Sequence, residues 1–99
     1  MSAESNEREK KHNPHVYQWI EALKENPDDQ EVQTKLVKEY EQLVQTLARK
    51  FSKGTIHDDL VQVGMIGLLA AIKRFDPELG KSFESFAVPT IIGEIKRFI

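Results

Sequence analysis

The segment Asp59–Asp76, DLVQVGMIGLLAAIKRFD, has a helical pattern that is apolar on more than one side. At about 100° per residue, one side collects Leu60, Val61, Gly64, Leu68, Ala71, Ile72 and Phe75, which is an ordinary core stripe. The other side collects Asp59, Gln62, Val63, Ile66, Leu69, Ala70 and Lys73, with Met65 at its edge. A solvent face would carry more charged residues than this one. Either another helix of the chain or a partner protein therefore covers it.

A first helix is predicted before this segment, over residues 14–25. Asn13 can cap its start, and Pro14 takes the first helical position, where a missing N–H costs nothing. Asn26-Pro27 ends the helix, because proline disfavours a helical residue before it. Residues 1–12 are charged and hold no apolar residue larger than alanine after Met1. We therefore expect a disordered tail over 1–12 and one helical domain over 13–99.

The second helix has the clearest apolar periodicity in the chain. Its apolar positions recur at steps of three and four residues: Val32, Leu36, Tyr40, Leu43, Val44, Leu47 and Phe51. Asp28 followed by Glu31 predicts a capping box at its start. The helix is expected to run to about Ser52, with Gly54 as its C-terminal break.

The remaining two helices have ambiguous starts. An aspartate at position 58 or 59 can cap the third helix, which should end at Phe75 before Asp76-Pro77. A serine at position 82 or 85 can cap the fourth. Because proline is tolerated in the first turn of a helix but not deeper, Pro89 favours a start near Ser85. No stretch alternates with period two, so the sequence predicts an all-α fold, a compact bundle of about four helices.

Composition narrows the possible functions. The 99 residues fit one domain, and the net charge of -2 argues against a freestanding binder of duplex DNA. The chain has no cysteine, and its start lacks the apolar region of a secretory signal. The longest mostly apolar run, Val61–Ile72, is too short to cross a membrane, which takes about 20 residues. We expect a cytoplasmic protein without a membrane role.

An enzyme has little support in the sequence. His12 and His15 lack a third ligand that could complete a metal site. His57 and the two aspartates after it are better explained as a helix start than as acid–base machinery, because no nucleophile or glycine-rich phosphate loop accompanies them. The sequence predicts no catalytic site, no metal and no cofactor.

The order of residues in and around the third helix resembles region two of bacterial sigma factors, the subunits that direct RNA polymerase to promoters. The resemblance rests on Asp59–Leu68, Ala71, Lys73–Asp76, Gly80, Phe83 and Phe86-Ala87, with Leu43-Val44, Ala48–Phe51 and Gly54 fitting the preceding helix. The segment Pro89–Phe98 is similar to the general-stress and sporulation branch of the family, the sigma factor B group. The match covers about residues 31–99.

The resemblance implies a protein-docking role for the exposed face of the third helix. In the family this face docks on the coiled coil of the largest subunit of the RNA polymerase core. Carried over by position, the contact residues are Asp59, Gln62, Val63, Met65 and Leu69. Asp59 can instead be only a helix cap. In the stress branch an anti-sigma factor kinase also holds the sigma factor and covers polymerase-binding surface.

The resemblance also implies contact with promoter DNA from Phe83 onward. Phe83 and Phe86 would stack on unpaired bases of the minus-ten element, and Lys96 and Arg97 would contact backbone phosphates. Each phenylalanine can equally be a core residue, and the two basic residues can simply complement the helix dipole. Primary sigma factors carry two tryptophans where this chain has Pro89-Thr90. This departure fits an alternative sigma factor that opens a restricted set of promoters.

These inferences combine into one functional hypothesis. The chain is expected to be a fragment of an alternative sigma factor that binds polymerase core and takes part in recognising and melting the minus-ten element for stress-response transcription. Because Ile99 ends the chain inside the helical pattern, we expect the downstream sigma domains to be missing. The alternative from another class is a helical module that binds only protein partners, for which the DNA-facing residues would not matter.

Overall fold

The computed structural model describes residues 14–54 and 56–99, and these form an all-α bundle, as the sequence predicts. Its helices are α1 (Pro14–Glu25), α2 (Gln30–Lys50), α3 (His57–Arg74) and α4 (Phe83–Phe98), with a short 3-10 turn at Pro77–Leu79 between α3 and α4. The expected disordered tail over 1–12 and the Asn13 cap lie outside the described residues. The bounds of α1 agree with the prediction from its two prolines.

Helix α2 begins one residue later than the sequence predicts. Its N-cap is Asp29 rather than Asp28, and the Asp29 carboxylate accepts hydrogen bonds from the backbone N–H groups of Glu31 at 3.1 Å and Val32 at 3.2 Å. The preceding turn decides between the two aspartates, because the N–H of Asp29 donates to the carbonyl of Asn26. The helix then ends at Lys50, shortly before Gly54, which has a φ of 73°.

Neither predicted aspartate caps α3. Its N-cap is Ile56, whose side chain makes no capping bond, and Asp58 and Asp59 lie in the first helical turn. In the first turn their negative charges lie near the positive end of the helix dipole. This interaction stabilises the helix start without a capping hydrogen bond. A hydrogen bond between the His57 ring and the Gln45 side chain, 3.2 Å long, ties the start of α3 to α2.

The predicted start of α4 near Ser85 is wrong. Ser82 is the N-cap, its hydroxyl accepting from the N–H of Ser85 at 3.1 Å, so Pro89 lies well inside the helix. Proline there removes the hydrogen bond to the carbonyl of residue 85. Both Ser85 and Pro89 are exposed, so water can reach the carbonyl that is left. Thr90 donates its hydroxyl proton to the carbonyl of Phe86 at 3.0 Å.

An aromatic cluster joins α1, α2 and α4 at the end of α3. The ring of Phe83 lies 5.1 Å from that of Tyr40 and 5.3 Å from that of Phe75, measured between centroids. The Tyr17 hydroxyl of α1 accepts a hydrogen bond from the backbone N–H of Phe83 at 3.3 Å. Because that N–H belongs to the first turn of α4, this buried bond fixes where α4 begins relative to α1.

Two glycines let α3 approach its neighbours closely. A Cβ on Gly64 would lie 2.8 Å from Cγ1 of Val44, and one on Gly67 would lie 2.8 Å from Cα of Ile91 and 3.2 Å from the carbonyl oxygen of Thr90. Gly64 therefore permits close packing of α3 against α2. Gly67 is buried against the backbone of α4.

We expect Gly67→Ala to destabilise the fold by about 1–3 kcal/mol, because the new methyl group meets backbone, which cannot rotate away. The matched control is Gly93→Ala on α4, where a Cβ meets nothing within 4 Å. That change should stabilise the helix by about 0.5–1 kcal/mol. Urea denaturation followed by circular dichroism measures both. A Gly67→Ala chain as stable as the parent would contradict the close packing of α3 on α4.

Candidate docking face and nucleic-acid interface

The α3 outer face is the side of this helix that the described helices cover only in part. We define it by Asp59, Gln62, Val63, Ile66, Leu69, Ala70 and Lys73. Ile66 is 58% exposed, and the side chains of Val63 and Leu69 are half-buried against the core. The sequence leaves open whether another helix or a partner covers this face. Within residues 14–54 and 56–99, neighbouring elements cover Val63 and Leu69 in part and leave Ile66 exposed.

The structure brings most of the predicted polymerase contacts together. Asp59, Gln62, Val63 and Leu69 share the α3 outer face, whereas Met65 lies at its side and is half-buried. Ile66 is the most exposed large apolar residue of α3, yet the predicted contact set omits it. Its helical position, between Gln62 and Leu69 on the same side, was the signal that could have included it. Val61, predicted for the core stripe, is only half-buried.

Charge is distributed unevenly along α3. Asp58 and Asp59 lie in its first turn, and Lys73 and Arg74 lie in its last. Each pair complements the nearer end of the helix dipole, so both also contribute to helix stability. The α3 outer face therefore has an acidic end, an apolar centre and a basic end, which is a pattern that fixes the direction of a docked helix.

Two hollows adjoin the basic end of this face. One, with a volume of about 270 Å³, lies between α1, the start of α2 and α3, and is lined by Leu23, Lys24, Pro27, Gln33, Leu69, Ile72 and Lys73. The other, of about 320 Å³, is shallower and is lined by Ile66, Leu69, Ala70, Lys73 and Arg74. Leu69 and Lys73 line both, so the two hollows adjoin at these two side chains.

The expected contact between Phe83 and DNA does not fit the structure. The side chain of Phe83 is 0% exposed, and it packs between Tyr40 and Phe75. A ring without accessible surface cannot stack on a base. Phe83 is therefore a core residue. Phe86 differs, since its ring is half-buried beside Phe75, at 5.8 Å between centroids, and keeps some accessible surface.

The two basic candidates, Lys96 and Arg97, are exposed in the last turn of α4. Each already interacts within the chain. Arg97 forms an ion pair with Glu94, and the Lys96 ammonium lies 5.9 Å from the centroid of the Phe51 ring at the end of α2. Exposed contacts of these kinds are weak, so either side chain can turn toward a phosphate at little cost.

The two histidines of the described residues, His15 and His57, have ordinary structural partners. His15 lies 3.4 Å from the Glu39 carboxylate and meets the Trp19 ring edge-on, and His12 falls outside the described residues. Within the described residues, no three side chains of the metal-ligating types are grouped to hold an ion. No helix of these segments is long and apolar enough to cross a membrane.

Comparison with known proteins agrees with the resemblance. Over 72 residues the chain is 65% identical to the RNA polymerase sigma-B factor of Bacillus subtilis. The aligned segment covers 72% of this chain and 28% of that protein. It is 51% identical over 70 residues to the sigma-B factor of Bacillus anthracis, covering 70% of the chain and 27% of the relative. Against the sigma-F factor of Bacillus subtilis the identity is 42% over 72 residues, with coverages of 72% and 28%.

The chain thus spans just over a quarter of the length of these relatives. Residues 36–99, more than half of the chain, match the family model of Sigma-70 region 2. This match includes all of α3 and α4 and most of α2, whereas α1 precedes it. The chain belongs to the Sigma-70 region 2 family.

Proposed function

We propose that the chain is the core-binding and promoter-reading part of an alternative sigma factor. It binds RNA polymerase core through the α3 outer face and takes part in recognising and melting the minus-ten element in stress-response transcription. The observation that carries this proposal is the uncovered apolar centre of the face, where Ile66 is 58% exposed in a chain of this family.

The α3 outer face has the chemistry of a reversible protein interface. Val63, Ile66 and Leu69 provide apolar surface whose burial gives affinity. The exposed Asp59 and Gln62 at one end supply hydrogen-bonding groups that set the register of the partner. The proposed partner is the coiled coil of the largest polymerase subunit. We propose that an anti-sigma factor kinase competes for this surface in the cytoplasm, which would keep the sigma factor inactive until release.

Promoter contact is proposed for Phe86 and for the basic end of α4. Stacking of one base on an aromatic ring contributes about 1–3 kcal/mol, so one accessible ring can hold one flipped base. Lys96 and Arg97 would contact the phosphate backbone. The net charge of -2 means that such contacts become effective only when polymerase has already brought the DNA close.

A module that binds only proteins is the second candidate. It is favoured by one specific observation, namely that the DNA-facing candidates have partners inside the fold. Phe83 is in the core, Arg97 pairs with Glu94, and Lys96 covers Phe51. Under this alternative the α3 outer face alone would carry the function.

A labelled single-stranded oligonucleotide bearing a minus-ten element separates the two candidates. We expect the chain to crosslink to this oligonucleotide in the presence of purified RNA polymerase core, and only weakly without core. Binding of the chain to core with no crosslink to the oligonucleotide would leave the protein-only module as the function. A chain that does not bind core at all would contradict both parts of the proposal.

A further inference from the structure

The hollow between α1, α2 and α3 is suited to a peptide side chain. Its apolar surface comes from Leu23, Pro27, Leu69 and Ile72, and Gln33 adds one polar group. We call it the α1–α3 groove. Its volume is about 270 Å³. The mostly apolar lining fits an apolar side chain of a protein partner.

The charges at the groove indicate the chemistry of its occupant. Lys24 on α1 and Lys73 on α3 line it from two helices, and both are exposed. No ion pair within residues 14–54 and 56–99 engages either lysine. The acids nearest to these lysines in the sequence do not line the groove: Glu21, Glu25, Asp28 and Asp76. The Asp29 carboxylate is committed to the cap of α2. An occupant that brings carboxylates would therefore meet two cations that no ion pair of the described residues engages.

The groove adjoins the α3 outer face at two shared residues. Leu69 and Lys73 line both the groove and the shallow hollow beside Ile66. We propose that the partner that docks on the α3 outer face also inserts an apolar side chain flanked by carboxylates into the α1–α3 groove. This inference rests on the proposed function, because the partner is RNA polymerase core. With this insertion the partner contacts two surfaces, the α3 outer face and the groove. Helix α1, which precedes the family match, then takes part in binding.

A charge-reversal pair tests the inference with purified RNA polymerase core. We expect Lys24→Glu with Lys73→Glu to lower the affinity about tenfold at about 0.1 M salt, mainly through slower association. Because Lys73 also belongs to the α3 outer face, Lys24→Glu alone is measured beside the pair, and it should lower the affinity about threefold. The loss should shrink at about 1 M salt, where the screening length falls to about 3 Å. The control is Lys35→Glu with Lys38→Glu, which makes the same charge change on exposed positions of α2 that do not line the groove. The control should bind core as the parent does.

A second variant tests the apolar insertion. Gln33→Trp should occupy the groove and lower the affinity at both salt concentrations, with circular dichroism confirming the helical content. Ile66→Glu is measured in parallel to separate this inference from the proposed function. A strong effect of Ile66→Glu with none from Lys24→Glu alone or from Gln33→Trp would overturn the groove alone. No effect from any variant would overturn both the groove inference and the proposed function. Equal losses from the two lysine pairs would show a nonspecific charge effect and would overturn the groove inference.

Discussion

Replacing Ile66 with glutamate is expected to lower the affinity of the chain for RNA polymerase core by about a hundredfold or more. In the free chain the side chain is 58% exposed, so a carboxylate there stays hydrated and the fold is kept. On docking, the carboxylate would be buried without a partner, which costs about 3 kcal/mol or more and corresponds to that loss of affinity. Biolayer interferometry with immobilised core measures the change.

The same reasoning extends to two predicted contacts. Gln62→Glu and Leu69→Glu should also weaken binding, although Leu69 is half-buried and its replacement needs a check of folding. The matched control is Leu79→Glu, which introduces the same charge at another apolar residue that is 66% exposed but lies in the 3-10 turn. Equal affinities for the Ile66→Glu and Leu79→Glu chains would contradict docking through the α3 outer face.

Replacing Phe86 with alanine is expected to leave core binding unchanged while lowering the affinity of the core complex for a single-stranded minus-ten oligonucleotide. A loss of one stacking contact, about 1–3 kcal/mol, corresponds to about a 5- to 150-fold change. Fluorescence anisotropy of the labelled oligonucleotide gives the affinity. Because Phe86 also packs beside Phe75, thermal unfolding of the variant should be recorded with it.

Phe86→Tyr is the control for this experiment, since tyrosine keeps a ring of the same shape. It should retain most of the oligonucleotide affinity. If Phe86→Ala binds the oligonucleotide as the parent does, stacking by this ring is excluded. If Phe86→Tyr lowers the oligonucleotide affinity as much as Phe86→Ala does, the ring acts by packing with Phe75 and does not stack on a base.

The helices were predictable from sequence because their apolar periodicity is strong, but three of their starts were not. Adjacent aspartates at 28 and 29 can both cap α2, and only the turn from Asn26 selects Asp29. The start of α4 was misplaced because Pro89 was treated as a barrier. A proline whose freed carbonyl partner is exposed costs less than one in a buried helix. At α3, the dipole rather than a cap bond accounts for the two aspartates.

The site was partly predictable for a similar reason. Period alone placed Asp59, Gln62 and Leu69 on one side of α3, and the structure covers that side only in part. Helical periodicity could also have distinguished the buried phenylalanine from the accessible one. Phe83 begins a series of buried residues at steps of four, Phe83, Ala87, Ile91 and Ile95, and Phe86 falls outside it. The α1–α3 groove was not accessible to sequence reasoning, since its lining comes from three separate helices and a turn.

Hydrogen exchange of the chain with and without RNA polymerase core shows which helix docks on core. We expect core to slow exchange of backbone amides in α3, from about residue 59 to residue 74, more than in the middle of α2. We also expect smaller protection at the end of α1, where the groove lies. Unchanged exchange throughout α3 in the presence of saturating core, or protection confined to α4, would contradict docking through the α3 outer face.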